Sequence, residues 1–160
     1  MKYIPNKKYM RLALAEARKN IRLLRGGPFG ACIVKKGKVL TVARNTVLKK
    51  NDATCHAEVN AIRIASKKLN TYDLSGCSIY STTEPCPMCF SAIHWARIGT
   101  VVFGTRIKDA RRIGFNELPI TNHRLKALGK SPVQLVPGFL RDECKKMLDD
   151  WSELPEMPAY

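Results

Sequence analysis

Residues 79–104 read IYSTTEPCPMCFSAIHWARIGTVVFG. The stretch opens on a short strand-like run at residues 79–81 and closes on one rich in β-branched residues at 100–104. Between them the segment from Pro87 to about Ala96 reads as a helix. Strand, helix and strand in succession set the class, and the same alternation continues outward. From Lys7 to Leu24 the apolar residues Met10, Ala13, Leu14, Ala17, Ile21 and Leu24 make one face of a helix, with Arg11, Arg18, Lys19, Arg22 and Arg25 outside it. Gly26-Gly27-Pro28 ends that helix. Runs at residues 31–34 and 39–43 flank Lys35-Lys36-Gly37-Lys38 as a hairpin. A polar loop at residues 45–54 precedes a helix at 56–67. Residues 133–136 read as a last strand, and Cys144, Met147, Leu148 and Trp151 mark one face of a closing helix. Strands alternating with helices predict an α/β fold whose sheet carries helices on both faces. Residues 106–130 show no clear pattern. With no internal repeat or linker, the chain reads as one domain over 1–160, residues 152–160 forming a tail.

A chain of 160 residues buries enough surface to hold a core without staples. Its composition, 45% hydrophobic and 26% charged, is that of a soluble globular protein. No apolar run approaches the roughly 20 residues of a membrane span. The start, Met1-Lys2-Tyr3-Ile4-Pro5-Asn6, lacks the apolar stretch of a secretory signal, so a cytoplasmic protein is expected. The six cysteines are too sparse for a disulfide scaffold. Cys32 and Cys144 read as small hydrophobes, and only the close pair Cys86 and Cys89 reads as a site. The net charge of +15 is uneven: residues 1–50 hold fourteen Lys and Arg against Glu16 alone, whereas residues 131–160 hold three basic and six acidic residues. Such a half either attracts phosphate backbones or is a solvated face.

The chemistry lies in His56-Ala57-Glu58, Pro85-Cys86-Pro87-Met88-Cys89 and the turn Gly26-Gly27-Pro28-Phe29-Gly30. Cysteines three apart on a helix share a face, and a helix N-terminus beside a cation favours the thiolate that binds zinc. With His56 they give three ligands, which leaves the fourth tetrahedral position open as a catalytic zinc requires. Zinc lowers the pKa of water there to about 7. Glu58 and His56 reach one pocket only if they sit at a helix end, from which Glu58 passes a proton to a substrate ring nitrogen. A C-x-x-C alone also suits a redox pair, which explains neither His56 nor Glu58. A closed structural site needs a fourth ligand from His94, His123 or Cys55. Taken together the segments match the H-x-E…P-C-x-x-C signature of zinc deaminases.

At these residues the chain resembles the cytidine/deoxycytidylate deaminase superfamily over roughly residues 7–150. Gly27-Pro28-Phe29-Gly30-Ala31, His56-Ala57-Glu58-Val59, Glu84-Pro85-Cys86-Pro87-Met88-Cys89 and Trp95-Ala96-Arg97 look most like the bacterial guanine deaminases. The resemblance implies a three-layer α/β/α sandwich on a mixed five-stranded sheet, one Zn2+ per subunit and a homodimer. It also implies conversion of guanine to xanthine and ammonia. By the same resemblance Asn45 hydrogen-bonds the base, and Glu117 stands where an acidic residue, usually aspartate, reads the guanine amide edge. Tyr160 matches a carboxyl-terminal tyrosine that reaches a base pocket through tail exchange between subunits. Phe29 and Trp95 are candidates to line the pocket by stacking. The plainer readings are that Asn45 caps a loop, Glu117 is a solvated acid, Trp95 is core and Tyr160 ends a frayed tail. His94, His123, Glu84, Cys32, Cys77 and Cys144 are taken as structural.

Other segments, residues 97–106, Asn122-His123-Arg124 and Asp142-Glu143-Cys144, resemble the transfer-RNA adenosine deaminases, which the basic first half would suit. The Gly-Pro-Phe-Gly turn and the acidic tail differ from that branch. Purine-base deamination is therefore the leading expectation, tRNA wobble-adenosine deamination the second, and another small base or nucleoside such as cytosine the third. A zinc-stabilised nucleic-acid-binding module is the non-enzymatic alternative.

Overall fold

The computed structural model describes residues 3–160; Met1 and Lys2, part of the start read above for a signal, lie outside them. Five strands form one sheet in the order β2-β1-β3-β4-β5. The first pair, β1 (Gly30–Lys35) and β2 (Lys38–Arg44), is the predicted hairpin. β1 runs antiparallel to β3 (Cys77–Thr83), while β3, β4 (Thr100–Thr105) and β5 (Gln134–Pro137) are mutually parallel neighbours. The sheet is thus mixed. β4 is buried along its whole length and β3 along nearly all of it, as expected of parallel strands covered on both faces.

Alternate strand residues feed two apolar layers. On one face Cys32, Val34, Tyr80 and Val102 pack with Met10, Ala13, Leu14 and Ala17 of α1 (Lys7–Leu23) and with Cys144 and Met147 of α7 (Arg141–Ser152). On the other, Ala31, Ile33, Ile79, Val101 and Phe103 pack with Ala57, Ala61 and Ala65 of α3 (Ala57–Leu69) and Phe90 and Ile93 of α4 (Pro87–Trp95). The result is the expected three-layer α/β/α sandwich. Small residues set its thickness: a Cβ at Gly30 would overlap the Ala13 carbonyl, so α1 lies directly on β1. The cysteines assigned to the core are there, and burial pushes the Cys32 and Cys144 thiols up to about 12.

Three short helices carried no readable periodicity: α2 (Val47–Lys50), inside the predicted polar loop, and α5 (Ile107–Arg112) and α6 (Asn122–Leu128), inside residues 106–130. They are ordered by side chains rather than by an apolar stripe. Asp109 accepts the Arg106 N–H at 2.8 Å and two bonds from Arg141 at 2.9 and 3.2 Å, and Thr121 caps α6 by accepting the Arg124 N–H. The charge asymmetry is also partly answered within the fold, because α1 and α7 pair through Arg11–Glu143 and Arg18–Asp150. Exposed pairs of this kind add little stability, but they take up cations of the basic half.

Burial works to raise the Asp109 carboxyl, and the bonds from Arg141 and the Arg106 N–H outweigh it, holding it below the usual carboxylate range. A depressed carboxylate stabilises the fold above its unfolded pKa of about 3.9 and loses that contribution as pH falls through the folded value. Asp109→Asn should therefore cost about 1–2 kcal/mol at pH 7, the bonds being charge-assisted but Arg141 partly exposed. The gap between variant and wild type should close below about pH 4, read by thermal unfolding across pH.

Candidate metal centre and active site

The parallel strands β3 and β4 end beside the N-termini of α3 and α4, the edge at which open α/β sheets bind ligands. His56 is the N-cap of α3 and Cys86 the N-cap of α4, both in extended backbone, and neither side chain caps its own helix. Both are thereby free for the neighbour. Pro87 occupies the first turn of α4, where its missing N–H costs nothing. Cys89 follows in the same turn, fully buried.

His56 Nδ1 lies 3.5 Å from the Sγ of Cys86 and 3.5 Å from that of Cys89. All three ligand atoms fall within 4.8 Å of one another. A tetrahedral zinc, with Zn–S of about 2.3 Å and Zn–N of about 2.0–2.1 Å, demands donor separations of roughly 3.5–3.8 Å, so the donor set fits the ion. The proton states agree. A hydrogen bond from Cys89, aided by His56 and working against burial, pulls the Cys86 thiol down to about 4. Burial would lower His56, yet the Cys86 hydrogen bond and charge, with Glu58 and Glu117, raise it to about 9. The gap between the sulfurs calls for positive charge. The proposed fourth ligands are elsewhere: His94 bonds Ser131, Cys55 bonds Asp52, and His123 is exposed.

Glu58, in the first turn of α3, is buried with 6% exposure. Its Oε1 lies 2.7 Å from the Ser81 hydroxyl of β3, which is also 2.6 Å from the Thr83 carbonyl, and its Oε2 accepts from the Cys89 thiol at 3.4 Å. Burial, then the Cys86 charge, raises its carboxyl, against His56 and Ser81. That is the environment of a proton carrier. Glu84, taken as structural, pins the 106–130 segment by accepting the Asn122 N–H at 2.9 Å and the Ile107 N–H at 3.4 Å.

A second group forms a wall. Asn45 is 1% exposed; its Oδ1 accepts from the Val47 N–H at 3.0 Å and from the Tyr160 hydroxyl at 2.5 Å. The same hydroxyl accepts the Gly27 N–H at 2.9 Å. A Cβ on Gly26 would overlap Asn45, which explains the glycine at that point. Phe29 packs edge-on against Phe115 at 4.8 Å, and Phe115 against Tyr160 at 5.5 Å. Glu117 is half-buried and its carboxyl is pushed up to about 7, first by burial and then by the Cys86 charge. It feels His56 and Glu58 as well, and Tyr160 feels it in turn, which ties the wall to the metal cluster.

Trp95 is the exception among the expected pocket residues. It ends α4, six residues beyond Cys89, and so lies about 9 Å along the helix from the nearest candidate ligand. At 80% exposure it is not core, and the two clefts it borders include none of the metal-ligand residues. Tyr160 is not frayed either: the tail folds back on its own chain, where Leu154, Met157 and Tyr160 pack against Ala110, Phe115 and Trp151. Sequence reasoning missed Asn20, Ser81 and Phe115. Asn20 was detectable as the polar member of the α1 stripe; Ser81 and Phe115 carried no signal outside the fold.

The fold and the three-donor cluster with its buried glutamate are those of the zinc deaminase class. Residues 4–105 match the family described as cytidine and deoxycytidylate deaminase zinc-binding region, and the chain belongs to that family. Among its relatives, the guanine deaminase of Bacillus subtilis is 49% identical over 92 residues, which span 58% of this chain and 59% of that protein, less than two thirds of its length. The tRNA-specific adenosine deaminase of Aquifex aeolicus is 41% identical over 124 residues, 74% of this chain and 80% of that one. The solved guanine deaminase of Nitrosomonas europaea superposes with a TM-score of 0.85 at 28% identity, covering 96% of this chain and 88% of that structure.

Separating ligand from proton carrier gives a direct check. Glu58→Gln should keep about one zinc per chain, by atomic absorption, and lose turnover by at least the 10²–10⁴ typical of positioned proton transfer. Cys89→Ala should lose both metal and turnover.

Proposed function

We propose that this chain deaminates a free purine base, converting guanine and water to xanthine and ammonia. The observation that supports this best is the meeting of the Asn45 side chain and the Gly27 N–H at one phenolic oxygen, on a wall coupled through Glu117 to the metal cluster. These groups offer a base an acceptor and a donor, Glu117 offers a carboxyl to its amide edge, and Phe29 an aromatic face. The tail docked over them favours a substrate small enough to lie beneath it. When bound, zinc supplies the Lewis acidity that lets water act as a nucleophile near neutral pH. Glu58 takes the proton released as water attacks the amine-bearing carbon, C2 in guanine, and delivers it to the adjacent ring nitrogen; it then takes the second proton from the new carbon-bound hydroxyl and passes it to the amine, which leaves as ammonia when the C–N bond breaks and the carbonyl forms. Ser81 holds the carboxyl through its Oε1.

A second reading has its own support. Arg106, Lys108 and Arg111 line a cleft of about 390 Å³ together with Glu84, the residue two before Cys86, and none of the three cations is ion-paired among the described residues. A tRNA wobble adenosine, bringing phosphates to that cleft, would suit it. A homodimer is also inferred, since Tyr72, Trp95 and Leu128 leave 69%, 80% and 74% of their surface exposed around neighbouring clefts. We place the protein in the cytoplasm; no described helix is long and apolar enough to cross a membrane.

The zinc-loaded protein should release ammonia from guanine in preference to guanosine, adenosine, cytosine and a wobble-adenosine tRNA. Inosine formed in the tRNA alone would overturn the free-base reading. Removing residues 156–160 should lower kcat/KM at least tenfold with little change in Tm, whether the tail serves its own pocket or is exchanged with a partner's. Unchanged activity would remove Tyr160 from the pocket, and sedimentation of both proteins reads the dimer.

A further inference from the structure

The buried stripe of α1 runs Met10, Ala13, Leu14, Ala17 and then Asn20, which is fully buried. An amide in an apolar face is costly unless its hydrogen-bonding groups are matched. Both Nδ2 protons are used: one goes to the Gly27 carbonyl at 2.8 Å and one to the Asn45 carbonyl at 2.9 Å. The Oδ1 has no partner. A side chain kept in the core with one polar atom unmatched is a poor choice for stability alone.

Its two acceptors belong to the two segments that face the base. The Asn45 peptide is gripped on both sides, its N–H donating to the Phe29 carbonyl at 3.0 Å and its carbonyl held by Asn20. That fixes where the Asn45 side chain leaves the backbone. The Gly27 carbonyl is held by Asn20 and by the Phe29 N–H at 2.8 Å, which fixes the peptide after Gly27 and so restricts the residue whose N–H meets the same hydroxyl as Asn45 Oδ1. One amide on α1 thus sets the spacing between a donor and an acceptor that no covalent link holds together.

We infer that Asn20 is a positioning residue for base recognition, acting through Asn45 and the Gly27 peptide without touching substrate. The inference rests on the purine reading of Asn45. It predicts a loss in binding and not in chemistry, because the residue supports the wall and makes no bond to Glu58 or the metal ligands.

The test compares Asn20→Ala and Asn20→Ser, the second retaining one donor, with Asn45→Ala as reference. Each is assayed for guanine KM and kcat, zinc content, and guanine affinity by calorimetry in the Glu58→Gln background. Asn20→Ala should raise KM and Kd about tenfold or more, with kcat within threefold of wild type and zinc unchanged, and Asn20→Ser should fall between. If Asn45→Ala weakens binding while both Asn20 variants bind as wild type, the inference is wrong and the purine reading stands. A fall in kcat at constant KM would also overturn it. If Asn45→Ala leaves KM unchanged, the purine reading fails first and takes the inference with it.

Discussion

The fold is organised by the need to bring two helix N-termini to one point. His56 and Cys86 are the residues from which α3 and α4 start, and each gives its side chain to the cluster instead of capping its own helix. The partial positive charge of both helix ends then falls on a place crowded with sulfur and carboxylate. It does not suffice. The Cys86 thiol is held low and the His56 imidazole high, so the cluster calls for a further positive charge. A divalent cation meets the same demand without leaving the imidazole protonated, and everything else in the site is arranged around that exchange.

The sandwich supports this through its central strands. β3 and β4 are parallel and buried, so their ends are held by the least deformable part of the molecule. The loop after β3 delivers Cys86, Ser81 within β3 steadies Glu58, and Glu84 ties the following segment back by two backbone bonds. The reacting groups therefore rest on strands and helix starts. The wall facing them is built from the turn after α1, Asn45 after β2, the 106–130 segment and the tail.

That division matches what could be read from the residues. The apolar periodicity of α1 and α7, the hairpin around Gly37 and the β-branched run at 100–104 all appear as elements, because each buries a regular face. His56, Glu58, Cys86 and Cys89 were legible because metal chemistry demands particular residue types at particular spacings. The wall was less so. α5 and α6 owe their order to Asp109, Arg141 and Glu84, whose partners are distant in sequence, and to the Thr121 cap; none of these leaves an apolar period. Trp95 was a candidate for its aromatic ring, and that ring is exposed at the end of α4; Asn20 was passed over because its neighbours in the stripe were apolar.

The small third cluster of Ala110, Phe115 and Trp151, with the tail laid over it, has a further consequence. It shares none of its fully buried residues with the two layers that hold the sheet. Ile21 and Phe29 pack against both it and those layers, and so bridge the two. The sheet that carries the ligands and the cluster beneath the tail are thus packed largely apart, so the shape of the wall can be altered at side chains that do not belong to the cores holding the metal ligands.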